Sequence, residues 1–184
     1  MRCFFAIPVH GAAQQSLATA LAGWRQQFPT VRWDVAPALH ITLQFVGDWP
    51  TERAAQLAAA ASFPWAPFTV DASSVGAFPD RRHPRLLWAG VEHSQPLLEL
   101  VTALAARLGP LGVQREFRPF RPHISLGRVA GGATPGSWAA GPSSSWGPIQ
   151  VTEFCLYETV AGQPPAERYQ VRARFPATSP SHAR

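Results

Sequence analysis

Two short segments of the chain pair an imidazole with a hydroxyl at the same spacing: His40-Ile41-Thr42-Leu43 and His123-Ile124-Ser125-Leu126. In an extended strand, residues i and i+2 leave the same face, roughly 6–7 Å apart. His40 then projects with Thr42, and His123 with Ser125, away from their apolar neighbours. A hydroxyl donates to a phosphoryl oxygen, and an imidazole exchanges a proton near neutral pH. If the two strands face each other across a groove, two histidines and two hydroxyls surround one phosphate. A neutral histidine takes a proton from water, and a protonated one returns a proton to the leaving oxygen. The donors themselves stabilise the charge that develops on phosphorus, so hydrolysis of a phosphodiester on this set needs no metal.

The surrounding pattern predicts the elements that hold these pairs. Residues 39–46 alternate, with Leu39, Ile41, Leu43 and Phe45 on one side and His40, Thr42 and Gln44 on the other. That is a half-buried strand. Residues 122–129 form another, as do 2–9, 31–35, 68–72, 74–78 and 85–91. After a break at Gly11, Leu17, Leu21, Trp24 and Phe28 recur at helical spacing. A second helix starts within Asp48–Glu52 and follows the alanine-rich stretch to Ala61. A third is capped by Ser94, has Pro96 in its first turn, buries Leu97, Leu100, Val101, Leu104 and Leu108, and stops at Gly109-Pro110. Gly131–Gly147 reads as a long loop, Ile149–Val160 and Arg168–Phe175 as a closing hairpin, and the chain from Pro176 as frayed.

Each half thus carries a long helix, several strands and one histidine segment. The expected fold class is α+β: two pseudo-symmetric lobes of mostly antiparallel sheet, with helices on the outside and a central cleft. Residues 1–175 are expected to form one two-lobed domain and 176–184 a disordered tail.

Composition narrows the setting. Of 184 residues, 46% are hydrophobic, enough for a folded core. No apolar run approaches the roughly 20 residues of a membrane span, and the start lacks a signal-peptide pattern. A cytoplasmic protein acting away from membranes, as a monomer, is expected. Cys3 and Cys155 lie in apolar runs and read as small hydrophobes rather than a disulfide pair. No CxxC or histidine-rich cluster suggests zinc, so no metal and no cofactor is expected. The net charge is +5, yet all sixteen basic residues are arginine beside abundant alanine, proline and glycine. That skew is a compositional bias, and placement carries more information than number. Arg115, Arg118, Arg121 and Arg128 crowd around the second histidine segment, where guanidinium groups suit bidentate phosphate contacts.

The segments Leu39–Asp48 and Arg118–Arg128 resemble the two signature motifs of the two-histidine phosphoesterases. Within that superfamily the chain is most similar to the RNA 2′,3′-cyclic phosphodiesterases, also called 2′-5′ RNA ligases. Arg2–Ile7, Val151–Glu158 and Arg168-Tyr169 agree with the same family. The resemblance implies opening of a terminal 2′,3′-cyclic phosphate to a 2′-phosphate, with a weaker reverse joining of RNA ends. Its substrates would be RNA bearing 2′,3′-cyclic phosphate ends, or cyclic nucleotides. It implies that His40 and His123 are catalytic and that Thr42 and Ser125 hold the phosphate. It leans to His40 as proton donor to the 3′ oxygen and His123 as acceptor from water. Arg128 matches a family arginine that holds phosphate or base.

Strict alternation, however, turns Arg128 away from His123 and Ser125, unless Gly127 marks a bulge or the strand ends there. Phe5 or Phe4 would offer a stacking face to a terminal base, although either also reads as core. His83, in the arginine-rich loop 81–85, reads as an ordinary surface residue, and His10, His93 and His182 carry no motif. Trp33, Trp49, Trp65 and Trp88 read as core or lobe interface. Two other functions fit the same residues: a phosphodiesterase for ADP-ribose 1″,2″-cyclic phosphate or 2′-5′ oligonucleotides, and a non-catalytic RNA-binding module. Intact histidines in both motifs argue against the last.

Overall fold

Hydrophobic alternation organises the chain around one antiparallel sheet. A computed structural model describes residues 1–114, 118–129 and 145–178. In chain order the elements are β1 (Arg2–Pro8), α1 (Gly11–Gln27), β2 (Val31–Trp33), β3 (His40–Asp48), α2 (Ala54–Ala61), β4 (Phe68–Phe78), β5 (Leu86–Val91), α3 (Gln95–Leu108), β6 (His123–Val129), β7 (Ser145–Val151), β8 (Glu153–Thr159) and β9 (Tyr169–Pro176). The sheet runs β7-β4-β5-β6-β3-β1-β8-β9, with β2 added beside β6. On one face Ile41, Leu43, Ile124 and Leu126 join Leu17 and Leu21 of α1, Leu57 of α2 and Leu97 and Leu104 of α3 in the core. The Ser94 hydroxyl caps α3 by accepting from the Leu97 amide. Among the described residues, no helix is long and apolar enough to cross a membrane.

The sheet is not flat. Thr152 alone separates β7 from β8, yet five strands stand between them in the hydrogen-bonded order. A flat sheet would put those strands roughly 29 Å apart at about 4.8 Å per step, whereas two residue steps reach about 7 Å. The sheet therefore bends into two four-stranded leaves, β7-β4-β5-β6 and β3-β1-β8-β9. They meet where β3 and β6 share a single paired position, Ile41 opposite Ile124.

Several expected boundaries move. Ile149–Val160 is not one strand, because the chain leaves β7 at Val151 and starts β8 at Glu153 on the other leaf. Only β8 and β9 form the hairpin. Ser145–Gly147, read as the end of a loop, belongs to β7, while residues 131–144 lie outside the described ones. Pro148 makes that strand hard to recognise, but β7 is an edge strand, where a missing amide is tolerated. Residues 68–78 form one strand bulged at Ser74, whose φ is +58°. Gly11 opens α1 instead of breaking the chain before it. Beyond Pro176 the chain is still tied, by Ala177 N–H to the Thr152 carbonyl and Thr178 N–H to that of Trp65. Residues 179–184 lie outside the described ones.

Both histidine strands share one irregularity. Between β1 and β3, Ala6 faces Thr42 and Phe5 faces Gln44, leaving Leu43 as an extra residue. Between β5 and β6, Trp88 faces Ser125 and Leu87 faces Gly127, leaving Leu126 extra. Each bulge falls three residues after its histidine and reverses the facing of the residues beyond it. Gln44 turns into the core, where its amide donates to the Phe45 and Gln114 carbonyls, and Phe45 turns out to 63% exposure. The expected alternation for those two residues is thus inverted. Gly127 is buried where β2 closes over β6: a Cβ there would lie 2.9 Å from the Trp33 ring and 3.0 Å from Val31 Cγ1. Gly127→Ala must push β2 outward, and we expect it to lower stability by about 1–3 kcal/mol. Urea unfolding of the two proteins measures the difference, and an unchanged midpoint would show that β2 yields freely.

Candidate active site

The Ile41–Ile124 pair sets the geometry of the site. Antiparallel register around it places His40 across from Ser125 and Thr42 across from His123. All four side chains leave the face opposite the core, at the corners of a rectangle of roughly 5 by 7 Å.

Each ring is held in the same way by its own strand. His40 Nδ1 lies 2.7 Å from the Ala38 carbonyl oxygen, and His123 Nδ1 lies 2.7 Å from that of Arg121. A carbonyl only accepts, so Nδ1 carries the hydrogen in both rings. Nε2 is then the nitrogen left to take or give a proton, and each ring is fixed in one tautomer before substrate arrives.

Aromatic side chains wall both histidines. Phe4 and Tyr169 ring centres are each 5.0 Å from that of His40, Tyr169 edge-on, and Tyr157 is 6.1 Å away. Around His123 stand Phe78, edge-on at 5.1 Å, and Trp88 at 6.5 Å. Phe4 and Tyr157 correspond to Trp88 and Phe78, since β1 and β8 flank β3 as β5 and β4 flank β6, while Tyr169 of β9 is an addition on the His40 side. Burial among these rings holds His40 down at about 4; the Ala38 hydrogen bond opposes that, and positive charge on His123 and Arg128 reinforces it. Burial also holds His123 below its ordinary value, against the Arg121 hydrogen bond.

Arg128 is the expected residue whose facing alternation could not settle. The bulge at Leu126 returns it to the side of His123 and Ser125, one residue earlier than a bulge at Gly127 would have done. Its charge reaches His40. Phe5 is a correction. It is fully buried, with its ring against Phe154 and Phe175, and has no face to offer a ligand. Phe4, its neighbour on β1, leaves the opposite face by ordinary strand alternation and takes the place beside His40. Phe45, Tyr157, Tyr169, Phe78 and Trp88 carry no motif of their own, and only their place on strands flanking the histidines could have marked them.

The remaining candidates stand apart. His83 is exposed in a turn closed by the Asp80 carboxylate, which accepts from the Arg82 and His83 amides. His10 and His93 are exposed, and Arg115 and His182 lie outside the described residues. Cys3 and Cys155 are free and buried. Among the described residues, no group of three or more His, Cys, Asp or Glu side chains is placed to hold a metal ion.

Comparison with known proteins gives the family. The family model described as the 2′-5′ RNA ligase superfamily matches residues 12–162. The chain is 31% identical over 179 residues to a Geobacillus stearothermophilus protein named RNA 2′,3′-cyclic phosphodiesterase, covering 94% of this chain but 56% of that relative. An Archaeoglobus fulgidus protein of the same name is 36% identical over 92 residues, with 52% of its length covered. The chain thus spans about half the length of these two relatives. The Escherichia coli protein of that name is 30% identical, with 85% of both chains aligned. Among solved structures, one from Thermus thermophilus superposes with a TM-score of 0.82 at 26% identity, covering 97% of this chain and 99% of that one. Escherichia coli LigT complexed with 3′-AMP superposes at 0.73 with 28% identity, covering 97% and 98%. On the match through most of its length, the chain belongs to the 2′-5′ RNA ligase superfamily.

Proposed function

We propose that the protein is an RNA 2′,3′-cyclic phosphodiesterase, opening a terminal 2′,3′-cyclic phosphate to a 2′-phosphate, with a weaker reverse 2′-5′ joining activity. One observation carries the reading: two histidines on facing strands, each tied through Nδ1 to the carbonyl two residues before it, flank two hydroxyls on one face. His123 Nε2 takes a proton from water as the water oxygen bonds to phosphorus. The P–O3′ bond breaks, and His40 Nε2 gives its proton to the 3′ oxygen, following the division of roles in the family. Thr42 and Ser125 donate to the non-bridging oxygens, and Arg128 adds positive charge as negative charge accumulates there. Phe45, exposed beyond the bulge of β3, offers a stacking face to the terminal base. The relatives' names support the substrate class, and the buried free thiols suit the reducing cytoplasm.

Phosphorus NMR of the product from a 2′,3′-cyclic nucleotide, with EDTA present, tests the assignment. A 2′-monophosphate is expected, and exclusive 3′-phosphate would sink it. His40→Ala and His123→Ala should each lower kcat by about 10²–10⁴-fold. Thr42→Ala or Ser125→Ala should lose roughly 10–100-fold in kcat/KM, the value of a hydrogen bond to a charged group.

The acid must carry a proton, yet burial keeps both rings neutral in the free protein at pH 7. A bound phosphate anion favours the charged imidazole and raises its pKa. Binding of a 2′-monophosphate at pH 6–7 should therefore take up protons. Calorimetry in buffers of different ionisation enthalpy reads the number. Uptake should fall in His40→Ala, and proton release on binding would contradict the scheme.

A further inference from the structure

Beyond the histidine pair, β2 places Arg32 directly across from Arg128 on β6. Val31 and Trp33 face the core, so both guanidinium groups leave from the histidine side of the sheet. Like charges directly opposed in an antiparallel pair repel unless something negative lies between them. A third cation arrives from the other leaf. Arg168, next to the Tyr169 ring that meets His40, brings Nη1 within 3.9 Å of Asp34 Oδ1. Arg32, Trp33, Asp34, Arg128, Pro165 and Arg168 together line one pocket.

Asp34 is the one carboxylate in that lining. Its amide donates to the Leu126 carbonyl at 2.8 Å, and its own carbonyl accepts from Arg25. Burial pushes its carboxyl up, against the pull of Arg168, Arg128, Arg32 and Arg25. At most one negative charge thus faces three guanidinium groups, and Arg32 and Arg128 make no ion pair among the described residues. The surplus calls for an anion with several acceptor oxygens, which a phosphodiester supplies. Counting the bulge, Arg128 stands two strand steps beyond Ser125, roughly 7 Å along the chain. The pocket therefore adjoins the place of the reacting phosphate without coinciding with it.

We propose that Arg32, Arg168 and Arg128 form a second phosphate subsite for the internucleotide phosphate next to the terminal cyclic one. The preferred substrate is then the 3′ end of an oligoribonucleotide rather than a free cyclic nucleotide. This rests on the RNA-end reading above.

Fluorescence anisotropy tests it with a short oligoribonucleotide ending in a 2′-phosphate, compared with one whose last internucleotide linkage is a neutral methylphosphonate. At low salt, neutralising that linkage should weaken binding to the wild-type protein by about 10-fold or more, as for a lost charged hydrogen bond. Arg32→Gln and Arg168→Gln should each shrink the ratio below about threefold. Equal binding of both oligonucleotides by wild type, or full discrimination in both variants, overturns the subsite. The wild-type comparison stands even if Arg168→Gln, which strips Asp34 of its partner, fails to fold. Discrimination without hydrolysis of any 2′,3′-cyclic phosphate would remove the reaction and keep the subsite; hydrolysis without discrimination would do the reverse.

Discussion

Ile41 against Ile124 is, among the described residues, the one paired position between strands of the two leaves, and the site depends on it. Both side chains are fully buried, so this contact is fixed by packing from the core side. Its consequence appears on the other face, where the neighbours of each isoleucine are a histidine and a hydroxyl. Sliding β3 by one residue against β6 would turn His40 and Thr42 into the core while His123 and Ser125 stayed outside, so the two pairs would no longer share a face. The same apolar packing that joins the leaves therefore sets which histidine stands across from which hydroxyl. The one-residue link at Thr152 holds the far ends of the leaves together, and the bend has little freedom to open.

The walls matter as much as the contact. Rings on β1, β8, β9, β4 and β5 surround the two imidazoles, and the hydrogen bond from Nδ1 fixes each tautomer. Dehydration disfavours the charged ring, so the free protein holds its histidines neutral. A phosphate reverses that balance because it brings the charge that desolvation removed. On the proposed function, substrate binding and proton loading would be the same event, linked by the aromatic enclosure.

Period-two alternation is enough to place His40 with Thr42 and His123 with Ser125, because the first four residues of each strand alternate regularly. It fails at the fifth. A bulge leaves no reliable mark in a single sequence: Leu43 and Leu126 are ordinary strand residues, and the extra residue shows only against the partner strand. Gln44, Phe45 and Arg128 elude alternation for that one reason. Phe4 and Phe5 pose a similar difficulty, since adjacent apolar residues on a central strand look alike until both faces are known. The move of β7 to the opposite edge from β8 is hidden by Pro148 and by the brevity of the link. Asp34 and Arg168 are far apart in sequence, and only the bend brings them together.

The matched bulges have one more consequence. The residue two beyond each extra leucine occupies the equivalent slot on its leaf, and these slots hold Phe45 and Arg128. The backbone around the pair is close to two-fold, so a symmetric set of side chains would accept a ligand in either of two opposite orientations. An apolar ring in one slot and a guanidinium in the other remove that degeneracy. The departure from symmetry thus gives the site a polarity: on the proposed function, a nucleotide lying across it would find its base and its phosphodiester chain matched in one sense only, and the direction of the strand would be read without any contact to sequence.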